Sequence, residues 1–266
     1  FSLLTRALGD ELAGLDAPSV DEQQLKRSSR TLLATTLRRV TELMGVAEPL
    51  VLRSPGAGVR LSKSIPPALV IGTDMDAGHS QKELAFMLSK QVALLHPTRA
   101  PAVLLQTSQL AQLLAAAQRL TTPKRASPVA PPMLSKDQTQ QWNRAVMTTH
   151  DALEKRLSSD ELSHIKAALS QLDQTVPLGD ATALIQCIQG WQQASELTCN
   201  HIALLVCGDI ALALRLLKRE VASESIVDRD AKLHDVVHYV LSKPFLEART
   251  ALNLAIDRGE QTSADN

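Results

Sequence analysis

The chain has 266 residues, of which 44% are apolar and only 2% aromatic, and 28 Lys and Arg residues balance 28 Asp and Glu residues. A chain of this length can bury a substantial core, which must here consist mainly of aliphatic side chains. The zero net charge, the lack of a basic block and the scarcity of aromatic side chains argue against a nucleic-acid-binding protein.

Two helices and then a small sheet are predicted in the first third of the chain. Apolar residues recur at helical spacing over 1–15 and again over 21–44, where arginines occupy the other side. The pattern then changes to that of short strands at 49–53, 59–62 and 68–72. Together these strands predict a small sheet that is antiparallel at least in part.

A buried helix is predicted over 81–95. Ser80 and Glu83 have the spacing of a capping box, and the residues that follow are apolar on nearly every side. Pro97 is expected to end this helix. A further amphipathic helix is predicted over 107–120.

The segment 121–135 contains four prolines and predicts a surface loop, or a subdivision within an otherwise single domain over 1–266. Everything beyond it is predicted to be helical, and Gly208 is expected to end one of the helices. The expected helices are 136–157, 159–172, 181–193, 194–206, 210–223, 230–241 and 244–257. The predicted fold class is therefore mainly α (α+β), a multi-helix domain with a small β-sheet near 49–72.

The cysteines and the lengths of the apolar runs indicate the cellular compartment in which the protein resides. Cys187, Cys199 and Cys207 are too few for a disulfide framework, so we expect a reducing environment and a cytoplasmic protein. No apolar run approaches the ~20 residues that span a bilayer. The chain starts at Phe1 without a signal-peptide pattern, which suggests a domain of a longer protein or a processed chain.

The order of the predicted elements resembles the M48-type zinc metallopeptidase domain. Two short strands and an apolar strand lead to a capped buried helix, and after a variable helical region a second buried helix ends at Gly-Asp. The segment 68–88 is similar to the strand, loop and capping turn before the first core helix of that family. This helix carries His-Glu-x-x-His in the family, where both histidines bind zinc and the glutamate is the general base. A downstream helix supplies the third ligand from Glu-x-x-x-Asp.

The zinc motif itself is absent from this chain. The matching stretch, 89–93, reads Ser-Lys-Gln-Val-Ala, so Ser89 and Ala93 replace the histidines and Lys90 replaces the general base. Glu196 matches the third ligand, and Asn200 takes the place of the aspartate. The resemblance thus implies a metallopeptidase-like architecture with no catalytic residue, no metal and no cofactor. Because an unpaired buried carboxylate is costly, we expect Lys90 to pair with Glu196.

His234 and His238 carry an alternative interpretation. They stand four residues apart on a predicted helix, which is a spacing for two metal ligands, and Asp235 follows the first of them. They would make the chain a metal-dependent hydrolase, although no third ligand is evident. The surrounding apolar residues are equally those of an ordinary amphipathic helix with histidines on its surface.

The function predicted from the sequence is therefore that of a pseudo-enzyme. We expect a non-catalytic domain that serves as a protein–protein interaction or scaffold module, with protein partners, within a larger protein. A plain helical assembly domain unrelated to peptidases is a further alternative. A structure without a small sheet packed on the 81–95 helix would favour that alternative.

Overall fold

A computed structural model describes residues 1–9, 23–24, 30–56, 58–62, 64, 66–121, 130–131, 133–220 and 225–252. Over these ranges the chain is mainly helical with one small sheet, which confirms the predicted fold class. The helices are α1 Ser2–Ala7, α2 Leu32–Met44, α3 Gln81–Leu94, α4 Ala100–Leu104, α5 Thr107–Thr121, α6 Lys136–Arg156, α7 Ser159–Thr175, α8 Ala181–Cys207, α9 Ile210–Arg219, α10 Arg229–Val240 and α11 Lys243–Ala251. The strands are β1 Gln23–Gln24, β2 Val51–Ser54, β3 Val59–Leu61 and β4 Leu69–Gly72.

The sheet has the strand order β1-β2-β4-β3. Strand β4 is parallel to β2 and antiparallel to β3, so the sheet is antiparallel only in part, as predicted. All four residues of β4 are buried. Leu69 and Ile71 pack with helices α2 and α3, whereas Val70 packs with Leu52 and Ala68. The two sets alternate along the strand because successive side chains point to opposite faces.

The helix predicted over 21–44 is shorter than expected. It begins at Leu32, where the Thr31 hydroxyl accepts a hydrogen bond from the Ala34 N–H at 3.3 Å. Gln23–Gln24 forms strand β1 and pairs antiparallel with β2. Sheet pairing therefore overrides helical spacing there. The predictions that fall on 10–22, 122–129 and 253–257 lie outside the described residues.

The two helices predicted at 181–193 and 194–206 are one continuous helix, α8. Its 27 residues correspond to a length of ~40 Å. The polar residues near its middle do not break the helix. One of them, Gln192, is buried, and its side chain donates hydrogen bonds to the carbonyls of Ala102 and Leu105 at 2.8 and 3.0 Å. Its polar group is thus satisfied inside the protein. The helix ends at Gly208, whose φ of 65° is left-handed, as predicted.

Helix α3 connects the sheet to the helices of the C-terminal half. The predicted capping box is present, since the Ser80 hydroxyl accepts from the Glu83 N–H and the Glu83 carboxylate accepts from the Ser80 N–H. Leu84 and Leu88 pack with the sheet and α2, and Phe86 packs with α8, α9, α10 and α11. A separate helical core joins α1, α5, α6 and α7 to the N-terminal half of α8. Helix α8 therefore contributes to both helical cores.

Three further findings concern the short helix α4, the end of helix α9 and the search for a membrane-spanning helix. A short helix, α4, follows the break predicted at Pro97 and was not expected. Helix α9 ends at Arg219, and the predicted continuation to 223 lies largely outside the described residues. None of the helices in the described part of the chain combines the length and apolarity needed to cross a bilayer.

Candidate functional site

The five residues that the resemblance singles out lie on two helices that pack together. Helix α3 carries Ser89, Lys90 and Ala93, and helix α8 carries Glu196 and Asn200. All five are buried. Glu196 and Asn200 lie one turn apart on the same side of α8. The fold therefore brings these residues to one helix–helix interface.

The carboxylate of Glu196 is held by five hydrogen-bonding or charged groups. Oε1 accepts from the Ser225 hydroxyl at 2.7 Å and from Lys232 Nζ at 2.9 Å, and Lys90 Nζ lies 4.0 Å from the same oxygen. Oε2 accepts from the backbone N–H groups of Ile226 and Val227 at 3.0 and 3.3 Å. Both oxygens are thus engaged by protein donors.

The expected pair of Lys90 and Glu196 is part of a larger arrangement. Lys90 donates to Glu220, and Lys232 Nζ lies 2.6 Å from the other oxygen of Glu220. We call Lys90, Glu196, Glu220 and Lys232 the charge cluster. Its formal charges sum to zero, and the exposed fractions of its side chains are 10%, 6%, 25% and 3% in that order. Helices α3, α8 and α10 and the C-terminal end of α9 meet at this cluster.

The cluster favours the charged forms of Glu196 and Lys232. Burial alone would raise the pKa of Glu196, but hydrogen bonds from Lys232 and Ser225 and the charge of Lys90 hold that pKa below its ordinary value. Burial alone would lower the pKa of Lys232, and the two glutamates overcome that effect and raise it. Each buried charge is thus compensated by a partner.

Ser89 and Asn200 differ from their charged neighbours. Both are completely buried, and neither the Ser89 hydroxyl nor the Asn200 amide has a hydrogen-bond partner among the described residues. Ala93 packs with Leu94 and Cys199 in an apolar cluster. Ser89 and Ala93, which the resemblance aligns with the two histidines of the zinc motif, therefore lie in packed protein interior.

Three members of the arrangement were not predicted from the sequence: Glu220, Ser225 and Lys232. Lys232 lies in the helix predicted over 230–241, whose apolar pattern is that of an ordinary amphipathic helix. One indication was available, because Lys232 precedes Val236 by four residues and so shares its side of α10. Val236 is fully buried and Lys232 is 2% exposed. A lysine in register with core residues is a candidate for a buried ion pair.

His234 and His238 are exposed on α10 and face each other. Their Nε2 atoms are 3.1 Å apart, and their ring centroids are 4.2 Å apart. Asp235, which the hydrolase interpretation would use as a base, instead lies 2.6 Å from His201 Nε2. Tyr239 stacks on that same His201 ring at 3.8 Å. The two histidines thus converge without the acidic residue that hydrolysis would require beside them.

One group of three ligand-type side chains occurs among the described residues, on α6. It comprises His150, Asp151 and Glu154, whose ligand atoms all lie within 4.8 Å of one another. The two carboxylate residues are exposed, and His150 Nδ1 is 3.1 Å from Asp151. Exposed groups of this kind are common on protein surfaces without a metal.

Comparison with known protein families, with curated proteins and with solved structures finds no match to this chain.

Proposed function

We propose that the chain is a non-catalytic, metallopeptidase-like domain that serves as a protein–protein interaction or scaffold module of a larger cytoplasmic protein. The observation that carries the proposal is the charge cluster. Glu196, at the position of the third zinc ligand, has both carboxylate oxygens engaged by Lys232, Ser225 and two backbone N–H groups. The domain is thus built around a compensated set of charges.

A divalent cation at Glu196 would meet an unfavourable environment. The ammonium groups of Lys90 and Lys232 lie 4.0 and 2.9 Å from Oε1, and their charges repel a cation in this poorly solvated interior. Ser89 and Ala93 supply no imidazole, and Lys90 in place of a glutamate is a poor general base while it remains charged. These features together support a domain without zinc-dependent peptidase chemistry.

The cysteines support the proposed reducing compartment. All three are free, and Cys199 and Cys207 are buried. Burial raises the pKa of the Cys199 thiol to about 11, and burial also raises the pKa of Cys207. A thiol of raised pKa is a poor nucleophile and metal ligand at neutral pH. We therefore assign these two cysteines to packing, which suits a cytoplasmic domain.

The alternative of a helical assembly domain unrelated to peptidases has less support. It would be favoured by a structure without a sheet packed on α3. The described residues do contain such a sheet, since Leu69 and Ile71 of β4 pack in one cluster with Leu84 and Leu88 of α3. The observation that would have favoured this alternative is therefore not made among the described residues.

The non-catalytic part of the proposal is tested by metal analysis and a peptidase assay. Tag-free protein is dialysed against metal-free buffer, its zinc content is measured by mass spectrometry, and its hydrolysis of unfolded casein is followed. We expect no retained zinc and no hydrolysis, in the native sequence and in Glu196→Gln alike. Retained stoichiometric zinc and hydrolysis that are both lost in Glu196→Gln would overturn the proposal.

The interaction part is tested on the full-length protein in its native source at its native abundance. Gentle purification followed by size-exclusion chromatography and mass spectrometry is expected to recover the protein with a stoichiometric protein partner. A version that lacks residues 30–252 should lose that partner. Recovery of the full-length protein alone, or an unchanged complex without these residues, would contradict the scaffold role.

A further inference from the structure

We propose that His234 and His238 form a surface site for a divalent late transition metal ion such as Zn²⁺, with both Nε2 atoms as ligands and the remaining positions open to water. The site is independent of the proposed function and lies on the exposed side of α10, whereas Lys232 of the charge cluster lies on the buried side of the same helix. Imidazole nitrogen is a preferred ligand of zinc, copper and nickel ions. The class of ligand follows from this donor set.

The separation of the two Nε2 atoms suits the ion. Two zinc–nitrogen bonds of about 2.0–2.1 Å that meet at a tetrahedral angle hold their nitrogens ~3.3 Å apart, and bonds at a right angle hold them ~2.9 Å apart. The observed Nε2 separation is 3.1 Å, between these two values.

The exposure of the two residues makes the location accessible. His234 and His238 are exposed. The nearest carboxylate in sequence, that of Asp235, is 2.6 Å from His201 and so has its own partner. In the absence of an ion, the Nε2–H of one ring donates a hydrogen bond to the Nε2 lone pair of the other ring. Ion binding needs both Nε2 lone pairs, so that proton moves to Nδ1 of the same ring.

The site is limited to two protein ligands among the described residues. No third His, Cys, Asp or Glu atom within that part of the chain joins these two in a compact group. The affinity should therefore lie well below that of a closed structural zinc site, and the ion should exchange on dialysis. Open positions leave the bound ion able to accept a further ligand from solvent or from another molecule.

The experiment is isothermal titration of tag-free protein with ZnCl₂. We expect one bound equivalent in the native sequence. His234→Ala and His238→Ala should each weaken binding about tenfold or more, because removing one imidazole removes the high effective concentration of the second ligand. Both positions are exposed, so the variants should fold, which circular dichroism verifies.

Two control variants separate this site from other histidines. His150→Ala removes the imidazole of the α6 group, and His164→Ala removes an exposed isolated histidine of α7. Neither should change the affinity for zinc. The proposal is overturned if native protein binds no zinc, if His234→Ala and His238→Ala bind as tightly as the native protein, or if the loss follows His150→Ala.

Discussion

At the scale of the residue, Lys232 supplies much of the positive charge that the sequence assigned to Lys90 alone. Its ammonium group contacts both glutamates of the charge cluster, at 2.9 Å from Glu196 and 2.6 Å from Glu220. Lys90 is 4.0 Å from Glu196 and donates chiefly to Glu220. The two lysines therefore share the compensation of two carboxylates, and neither is dispensable.

Replacing Lys232 by methionine keeps most of the apolar stem and removes the charge. We expect Lys232→Met to lower the free energy of unfolding at pH 7 by about 3–5 kcal/mol, because it leaves two buried carboxylates with one lysine. Urea denaturation gives the value. The matched control is Lys243→Met on α11, where the 85%-exposed side chain pairs with Glu247 at 3.2 Å, and where the change should stay below about 0.5 kcal/mol.

A double-mutant cycle tests whether this loss arises from the cluster itself. Adding Glu196→Gln to Lys232→Met removes one negative charge together with one positive charge. The double variant should be more stable than the sum of the two single changes predicts, by about 1–3 kcal/mol. Simple additivity would mean that Lys232 acts through packing and not through Glu196.

The second prediction concerns Asn200, which is fully buried and whose amide side chain carries no charge. We expect Asn200→Asp, which hardly changes the shape of the side chain, to destabilise the protein by about 3 kcal/mol at pH 7, because the carboxylate would be buried close to Glu196. The loss should shrink as the pH falls, since burial raises the pKa of an aspartate and protonation removes the charge.

The comparison for Asn200→Asp is Asn143→Asp on α6, where the side chain is exposed. This change should leave the unfolding free energy within about 0.5 kcal/mol of the native value. Both variants are measured by thermal and urea denaturation at pH 7 and pH 5. Equal effects of the two substitutions would show that position 200 tolerates a charge and that its neutrality has no structural role.

At the scale of the element, features that depend on residues close in sequence were predicted. Features that depend on contacts between distant residues were not. The strands near 49–72 and the capping box of Ser80 and Glu83 depend on neighbours in sequence, and they were predicted. Strand β1 depends on pairing with β2 and was predicted as helix. The ion pair of Lys90 with Glu220 joins residues 130 positions apart, which no local pattern encodes.

The continuity of α8 leads to a prediction about its glycine. Gly190 lies within the helix, is exposed, and a Cβ added there would meet nothing within 4 Å. We expect Gly190→Ala to raise the unfolding free energy by about 0.5–1 kcal/mol, because alanine loses less backbone entropy than glycine in a helix. This gain in unfolding free energy would be absent if helix α8 were interrupted near Gly190.

Gly208, at the end of the same helix, should respond in the opposite sense. Its φ of +65° is left-handed, and an added Cβ would lie 3.3 Å from the Arg249 guanidinium. Gly208→Ala should therefore destabilise the protein by about 1 kcal/mol. Thermal denaturation of both alanine variants provides the measurement, and the same sign at both positions would contradict a helix α8 that continues through Gly190 and ends at Gly208.

At the scale of the whole molecule, the charge cluster predicts how stability depends on pH. The pKa of Glu196 is lowered from 4.5, so its contribution is complete above 4.5 and is lost as the pH falls through the lowered pKa. The pKa of Lys232 is raised from 10.5, so its contribution is complete below 10.5 and is lost as the pH rises through the raised pKa. The cluster should stabilise the fold fully between these limits.

The test compares the native sequence with the double variant Glu196→Gln/Lys232→Met in urea at a series of pH values. Their difference in unfolding free energy should stay constant in the middle range and change at both ends, where the native protein loses stability more steeply. Titrating groups outside the charge cluster affect both proteins alike, so the difference reports on the cluster. Parallel curves from acid to alkaline pH would show that these two residues titrate as they do in the unfolded chain.

Helix α8 also has a consequence for how the molecule opens. Its N-terminal half packs with α5, α6 and α7, through residues such as Leu184 and Ile188, and its C-terminal half packs with α3 and α9 through Ala203 and Leu204. Neither helical core can lose its packing without exposing one half of this rod. The amides near its centre should thus exchange hydrogen only through the concerted loss of both cores, so that the two regions unfold as one cooperative unit.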